Sequence, residues 1–204
     1  MPRILLSLVL FTTLVFTQIT PAFALPTLEE AMKDRVLGKA SAPITIIEYS
    51  SLTCPHCMAF HRDILPDIKM HYIDTGKVKL IYRDFPLGGL AMAAAMMARC
   101  AQPERYFGIL EMLFRNQRAW AGSKDPMTSL TRIGRLAGLS DKDVQACMQN
   151  KILWKTIQKR ADNAGKKHKI NATPSFVIDG ETIAGVESFE TFKKIFDALL
   201  AKKK

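Results

Sequence analysis

The arrangement of hydrophobic positions predicts a strand, a long helix and a second strand in the first half of the chain. Residues 44–49 form the β-branched run Ile-Thr-Ile-Ile-Glu-Tyr, which is typical of a central strand covered on both faces. From Met58 to about Tyr72, apolar side chains recur at helical spacing, and Pro66 within this pattern predicts a kink. Residues 77–82 alternate between polar and apolar side chains and predict a second strand. The predicted order is therefore β-α-β.

A block of helices without any strand signal is predicted between residues 87 and 150. The segments LAMAAAMMARCA, ERYFGILEMLFRN, MTSLTRIGRLAG and DKDVQACMQN each suit a helix, and breaks rich in glycine, proline or serine separate them. A further helix is predicted from about Trp154 to Lys166.

A hairpin and a closing helix are predicted at the C-terminal end of the chain. Residues 175–178 and 181–184 are strand-like, and Asp179-Gly180 between them predicts a type I′ turn. The last helix is predicted over residues 188–201, where aromatic and aliphatic side chains recur at helical spacing.

The first 24 residues have the form of a secretory signal peptide. Arg3 precedes the apolar run ILLSLVLFTTLVF, and Ala22-Phe23-Ala24 offers the small residues that a signal peptidase recognises. We expect cleavage after Ala24 and export of the chain. An uncleaved membrane anchor is the alternative, for which the apolar run is short. Residues 25–41 are then a lead-in with a short helix, which begins at the capping box Thr27-Leu28-Glu29-Glu30 and is predicted to end near Gly38.

The overall composition narrows the class of protein. With 204 residues, 48% of them apolar, 24% charged and four cysteines, the chain is neither collagen-like, nor a disordered tail, nor a small disulfide scaffold. A hydrophobic core must therefore carry most of its stability. The net charge is +10, but lysine and arginine are scattered along the chain. This distribution and the export signal argue against a nucleic-acid partner.

The candidate chemistry lies in Cys54-Pro55-His56-Cys57, which follows the first strand and opens the predicted helix. Two thiols three positions apart at a helix start can close a disulfide, with Cys54 at the exposed N-terminal end and Cys57 one turn further in. The helix N-terminus favours a thiolate at Cys54, and His56 can add a donor or a positive charge. The sulfur of Cys54 is therefore predicted to be both the nucleophile in the reduced form and the site of nucleophilic attack in the disulfide. Cys57 is predicted to supply the resolving sulfur.

Two other interpretations of this cysteine pair are open. Together with His61 it could supply three zinc ligands, but Cys100 and Cys147 are isolated from each other and do not complete the usual structural site. We therefore expect no metal, and we expect His61 to be an ordinary surface or helix-face residue. The second alternative is a purely structural disulfide, although a strand-to-helix junction is where a reactive pair would lie.

These features together resemble the DsbA-type thiol:disulfide oxidoreductases, which are thioredoxin folds with an inserted helical domain. The resemblance rests on EYSSLTCPHC after an apolar strand, on the interrupted β-α-β order and on TPSFVIDG at the last hairpin. It implies an α/β protein in which residues 42–86 and 152–204 form the thioredoxin-like domain and residues 87–151 the all-helical insertion. Residues 1–24 are the signal peptide and residues 25–41 the N-terminal helix and lead-in.

The resemblance also implies roles for three residues outside the cysteine motif. Thr173-Pro174 matches the bond that is cis in thioredoxin folds, where the residue before the proline offers backbone hydrogen bonds to a bound peptide. Glu48 matches a buried acid thought to relay protons to the inner cysteine. An ordinary exposed carboxylate at a strand end is an equally good interpretation of Glu48.

Cys100 and Cys147 both lie in predicted helices of the insertion. An oxidising compartment favours a bridge between them over two separate buried thiols. On the loop-entropy model such a bridge contributes roughly 4 kcal/mol. A bridge here resembles the DsbA-like branch that carries a second disulfide in its helical domain.

The resemblance implies a monomeric periplasmic oxidase. It would donate the Cys54–Cys57 disulfide to reduced, unfolded exported proteins through a mixed disulfide at Cys54, with no cofactor besides this redox-active disulfide. A membrane quinone reductase of the DsbB type is the expected reoxidant. Thr173 favours the alternative of a periplasmic isomerase or reductase, because dedicated isomerases often have threonine before the cis-proline and well-known oxidases have valine.

A peptide-binding holdase is a further alternative. Methionine side chains repack around varied partners, so a methionine-rich groove could bind unfolded peptides. The side chains concerned are Met58, Met92, Met96 and Met97, with Phe107 and Phe114. At helical spacing the same side chains also suit a hydrophobic core.

Overall fold

The computed structural model describes residues 24–203, and a five-stranded mixed sheet lies at its centre. The strands are β1 (Arg35–Leu37), β2 (Ile44–Ser50), β3 (Val78–Asp84), β4 (Ser175–Ile178) and β5 (Glu181–Ala184). Their order across the sheet is β1-β3-β2-β4-β5. Only β2 and β3 are parallel to each other, and the other neighbouring strands pair antiparallel.

Helices fill the connections from β2 to β3 and from β3 to β4, and one further helix lies at each end of the described chain. They are α1 (Leu28–Met32), α2 (Pro55–Ala59), α3 (Leu65–Ile68), α4 (Gly89–Arg99), α5 (Tyr106–Arg115), α6 (Gln117–Ala121), α7 (Pro126–Leu136), α8 (Asp141–Met148), α9 (Lys151–His168) and α10 (Phe189–Lys202). Helices α4 to α8 lie between β3 and α9, where the sequence predicts only helices. Within residues 24–203, no helix combines the length and the apolar character needed to span a membrane. The predicted signal peptide falls almost entirely outside the described residues.

Both faces of the central strand β2 are covered, as its unbroken apolar run predicts. On one face Phe60, Phe176 and Phe192 pack together, with 4.6 Å between the ring centroids of the first two and 5.0 Å between those of the last two. On the other face Tyr49 and Val177 pack against Ala164 of α9. Aromatic packing of this kind holds the helix that carries the cysteine motif firmly on the sheet.

Pro66 interrupts the helix that the sequence predicts from Met58 to Tyr72. Proline has no N–H and its ring clashes with the carbonyl four residues earlier, so a regular α-helix cannot continue through it. A π-helical turn at Phe60–Ile64 precedes the proline, and in it the N–H of Leu65 donates to the carbonyl of Phe60. A second π-helical turn follows at Lys69–Ile73.

Strand β1 is the element that sequence reasoning missed, because the first helix was expected to reach Gly38. The helix α1 ends at Met32, and Arg35, Val36 and Leu37 pair antiparallel with β3 instead. Three residues are too few to show a strand periodicity, and pairing with the sheet edge decides their conformation.

The C-terminal hairpin forms as predicted. Strands β4 and β5 have the expected bounds, and Asp179 and Gly180 between them have φ values of 50° and 92°. Two successive positive φ values are what a type I′ turn requires.

The methionines proposed for a peptide groove are core residues. Met58, Met92, Met96 and Met97 are all buried, as is Phe114, while Phe107 is partly buried against the same cluster. The groove assigned to the holdase alternative is therefore wrong for the four methionines.

Candidate active site

The cysteine motif lies where the central strand passes into the first helix after it. Strand β2 ends at Ser50, and Cys54 takes the extended conformation of an N-cap, with Pro55 in the first helical turn. Proline is well suited to that position because it has no N–H to leave unsatisfied. Cys54 and Cys57 are not bonded to each other in this structure, so it describes the dithiol form.

Both thiols are covered, and Cys54 is less exposed than the sequence predicts. Cys54 retains 7% of its surface and Cys57 none. The sequence therefore overestimates the exposure of Cys54, because Thr173 from a loop distant in sequence lies against it. In its protonated form, the Cys54 thiol donates a hydrogen bond of 3.2 Å to the carbonyl of Thr173. The sulfur of Cys57 accepts one of 3.5 Å from the N–H of Ser51.

The surroundings shift the pKa values of the two thiols in opposite directions. The hydrogen bond from Cys57 is the largest of the influences that lower the pKa of Cys54 to about 5, followed by the side chain of Thr173 and the backbone N–H groups of Cys57 and His56. Burial raises the pKa of Cys57 strongly, and its bond to Cys54 and the charge of Glu48 act in the same direction. Reduced Cys54 is therefore a thiolate at neutral pH, while Cys57 keeps its proton.

The two residues between the cysteines contribute mainly through the backbone. Pro55 starts the helix, and the backbone N–H of His56 is among the groups that lower the pKa of Cys54. The His56 side chain is exposed at the surface. A role of its ring in the chemistry stays a prediction.

The loop before β4 completes the site from the far end of the chain. The Thr173-Pro174 peptide bond is cis, and Thr173 is 8% exposed. The hydroxyl of Ser175 donates to the carbonyl of Ala172 at 2.7 Å, which ties the loop to the start of β4. The structure thus brings Thr173 to Cys54, as the sequence resemblance implies.

Glu48 is a buried acid, and the exposed strand-end interpretation is wrong. It lies inside β2 with no exposed surface, because pairing with Tyr82 and Phe176 places it in the middle of the sheet. Nε2 of His61 lies 2.9 and 3.1 Å from its two oxygens. His61 was expected to be an ordinary helix-face residue.

The zinc interpretation finds no support in this geometry. His61 directs its Nε2 at Glu48, and the described residues contain no cluster of three or more histidine, cysteine or acidic side chains that could hold a metal.

Gln117 is a further residue at the site that sequence reasoning missed. Its side-chain amide is buried and donates to the carbonyl of Leu52 at 2.9 Å and to that of Cys54 at 3.0 Å. Gln117 is the first residue of α6, 63 positions from Cys54. A single glutamine in an amphipathic segment carries no signal of this contact, because only the tertiary fold brings α6 to the loop.

The other two cysteines lie away from this site. Cys100 follows α4 and Cys147 lies in α8, and the two are joined by a disulfide. Both are buried, and Leu25 and Leu28 of the N-terminal segment line a small cavity against them.

A dithiol at the end of the central strand, facing a cis-proline loop, defines a thioredoxin-fold protein of the thiol-redox class. A family model described as Thioredoxin matches residues 30–198. The chain belongs to the thioredoxin family, and within it to the DsbA-type group. The predicted fold class, a thioredoxin fold with an inserted helical domain, is confirmed.

Individual relatives agree with this assignment. A candidate protein-disulfide oxidoreductase of Rickettsia conorii is 32% identical over 172 residues, which are 84% of this chain and 62% of the relative. The chain thus spans less than two thirds of that relative's length. The probable disulfide bond formation protein D of Bacillus cereus is 27% identical over 81% of this chain and 78% of its own. The crystal structure of Wolbachia pipientis alpha-DsbA1 superposes with a TM-score of 0.77 and 34% identity, over 87% of this chain and 94% of that one.

Proposed function

We propose that this chain is a protein-disulfide oxidoreductase that works as a dithiol oxidase. The observation that carries the proposal is the unequal pair of thiols, a Cys54 whose pKa is lowered to about 5 beside a Cys57 whose pKa is raised. A stable thiolate favours the reduced form of the protein, so its disulfide is readily given away. The names of the relatives support the same class of activity.

The proposed reaction passes through a mixed disulfide at Cys54. A substrate thiolate attacks the sulfur of Cys54, the Cys54–Cys57 bond breaks, and Cys57 leaves as a thiolate that takes up a proton. A second substrate thiolate then attacks the substrate sulfur of the mixed disulfide, and Cys54 leaves as a stabilised thiolate. The substrate loses two electrons to the cysteine pair, and no cofactor besides this pair is needed.

The backbone of Thr173 is the proposed contact for the substrate chain. Its carbonyl lies 3.2 Å from the sulfur of Cys54, so an extended peptide that pairs with Thr173 would hold its own cysteine beside the reacting sulfur. The cis-Pro174 that follows belongs to the same contact surface.

The biological setting is part of the proposal. We propose export to the periplasm by the N-terminal signal peptide, reduced unfolded exported proteins as substrates, and reoxidation by a membrane quinone reductase of the DsbB type. The chain would act as a monomer and without a nucleic-acid partner.

An isomerase or reductase is the second candidate, and the threonine before Pro174 favours it. The two candidates differ in the reduction potential of the Cys54–Cys57 pair, which can be measured in glutathione buffers with quantitative thiol trapping. We expect a value towards that of DsbA, about −120 mV, and a value near the −270 mV of thioredoxin would contradict the oxidase.

Cysteine variants test the mechanism itself. Cys54→Ser is expected to abolish oxidation of a reduced substrate protein. Cys57→Ala is expected to accumulate mixed disulfides at Cys54, visible on non-reducing gels, because the resolving thiol is absent. A Cys54→Ser protein with full activity would refute the mechanism.

A further inference from the structure

Glu48 is buried, and one hydrogen-bonding neighbour offers its carboxyl group a route for protons to the surface. Nε2 of His61 bonds both carboxyl oxygens, and no other hydrogen bond to the Glu48 side chain forms within residues 24–203. Glu48 lies on the central strand of the sheet and has no exposed surface, so its carboxyl group has no direct contact with water.

His61 connects this buried pair to an open cavity. Its side chain is 8% exposed and lines a cavity of about 370 Å³ between the cysteine-bearing helix and α5. The ring stacks on Phe114, with 3.9 Å between centroids and 20° between planes, which fixes its orientation. His61 also lies in the π-helical turn Phe60–Ile64. Such turns are frequent at functional sites.

Glu48, the inner member of the Glu48–His61 pair, lies near the resolving cysteine Cys57. Glu48 and Ser50 share one face of β2, and both influence the pKa of Cys57, which places them near its thiol. His61 follows Cys57 by four residues, so the two lie on the same side of the helix. Cys57 itself has no exposed surface through which to exchange its proton with water.

We propose that His61 is a proton-relay residue, through which Glu48 exchanges the proton of Cys57 with the solvent of this cavity. The inference rests on the proposed function and adds to it the exit of the proton. During reoxidation, Cys54 first forms a mixed disulfide with the oxidising disulfide and releases one of its sulfurs as a thiolate. The Cys57 thiol then gives its proton to Glu48, its sulfur bonds to the sulfur of Cys54, and the bond between Cys54 and the oxidant breaks, so that the oxidant's second sulfur also leaves as a thiolate. Glu48 passes the proton to His61 and thence to water. During donation the same path returns a proton to the Cys57 thiolate.

The remaining charged groups around the relay are already paired or lie at the cavity rim. Arg62 bonds Asp63, Lys69 bonds Asp74, and Arg115 bonds Glu111. The titratable groups that face the pair from the packed elements are Cys57, Arg62 and Lys69 of its own helix, Tyr82 of β3, and Glu111 and Arg115 of α5. None of these groups bonds Glu48, whereas His61 contacts both Glu48 and the cavity.

The test follows the reaction of the reduced full-length protein with oxidised glutathione by rapid acid quench and mass spectrometry. The first step forms a mixed disulfide at Cys54, and the second closes the Cys54–Cys57 bond and releases glutathione. His61→Ala is expected to slow the second step roughly tenfold or more at neutral pH and to leave the first within about twofold, since proton transfer is needed only in the second.

Two further measurements separate proton transfer from a structural role. His61→Gln can still bond Glu48 but cannot carry a proton, so it is expected to be as slow as His61→Ala. Added imidazole fits the vacated space and is expected to restore the second step in His61→Ala but not in His61→Gln, whose side chain fills that space. His71→Ala, an exposed histidine of the same helical segment, is the matched control and is expected to react like the wild type.

Each outcome distinguishes the relay from the proposed function. An unchanged second step in both His61 variants, or a slow His61→Ala protein that imidazole does not rescue together with a normal His61→Gln protein, would overturn the relay alone. A wild-type protein that forms no mixed disulfide with glutathione would overturn the proposed function, and the relay with it.

Discussion

At the scale of single residues, the pKa values of two chemically identical thiols one helical turn apart are shifted in opposite directions. Cys54 gains its hydrogen bond from Cys57 and backbone N–H groups of the helix start, all of which favour its anion. Cys57 loses contact with water and lies near the negative charge of Glu48, both of which favour its neutral form. These contacts support the proposed roles of Cys54 as the attacking sulfur and Cys57 as the resolving sulfur.

The ionisation of Cys54 can be measured directly in the reduced protein. We expect its thiolate absorbance at 240 nm to appear with a midpoint near pH 5, because the folded-state pKa is about 5. Cys57→Ala is expected to move the midpoint upwards, because the strongest donor to the thiolate is removed. A midpoint near the ordinary thiol pKa, about 8.5, would contradict the assigned contacts.

The same pKa shift makes the stability of the reduced protein depend on pH. The folded pKa lies below the unfolded one, so ionised Cys54 stabilises the fold fully above about pH 9 and loses this contribution as the pH falls to about 5. We expect the difference in free energy of unfolding between the reduced wild type and Cys54→Ala to shrink over that range in urea titrations. A difference that does not vary with pH would refute the linkage.

At the scale of elements, the side chain of Gln117 links the helical insertion to the active-site loop. Gln117 of α6 donates to two carbonyls of that loop from a fully buried position. A buried carbonyl that loses its hydrogen-bond donor has no partner to replace the water it lost on folding, and this lowers the stability of the fold. The contact therefore sets the position of the loop relative to the insertion.

Removal of this contact is expected to destabilise the protein. Gln117→Ala should lower the free energy of unfolding by about 1–3 kcal/mol, because two buried carbonyls lose their partner. Urea unfolding followed by circular dichroism measures the loss. Arg118→Ala changes the next, exposed residue of the same helix and is expected to have little effect. Equal stability of the two variants would show that the Gln117 bonds contribute nothing.

Some features of the secondary-structure elements can be predicted from the local sequence alone. The Asp179-Gly180 turn and the interruption at Pro66 follow from the conformational limits of those residues, whatever surrounds them. Strand β1 depends instead on pairing with the distant strand β3, and the partner of Glu48 depends on how the helix packs on the sheet. No local rule gives either feature.

At the scale of the whole molecule, a buried arginine joins three parts of the chain. Arg99 of α4 has no exposed surface and bonds Asp84 of β3 at 2.7 Å. It also donates to the carbonyls of Ala31 and Lys33 beside α1, at 3.4 and 3.1 Å, and to that of Tyr82 at 3.4 Å. The negative charge of Asp84 and the nearby tyrosines raise the pKa of Arg99 despite its burial, so it stays charged.

Arg99→Met is expected to be strongly destabilising. It leaves Asp84 buried without its counter-charge, which costs about 3–5 kcal/mol in comparable buried pairs. The double variant Arg99→Met/Asp84→Asn should lose less than the sum of the two single changes, since it buries no charge. A double-mutant cycle in urea measures the coupling, and strict additivity would contradict a direct interaction.

The second disulfide is expected to stabilise the insertion as a whole. Cys100→Ala/Cys147→Ala should lower the free energy of unfolding by up to about 4 kcal/mol, because a loop with a sequence separation of 47 is no longer closed. Mixed-disulfide trapping at Cys54 should persist in this variant. Alkylation of the unfolded but unreduced wild type provides the check, and labelling of Cys100 and Cys147 would show that the bridge is absent.

The sequence by itself determined what depends on local geometry and on the chemistry of neighbouring residues. This includes the central strand, the interrupted helix, the hairpin turn, and two cysteines at a helix start. The tertiary structure alone decided the burial of Cys54 and Glu48, the pairing of Glu48 with His61, and the tether from Gln117. These features depend on desolvation and on hydrogen bonds between segments distant in sequence, and burial is a property of the packed chain.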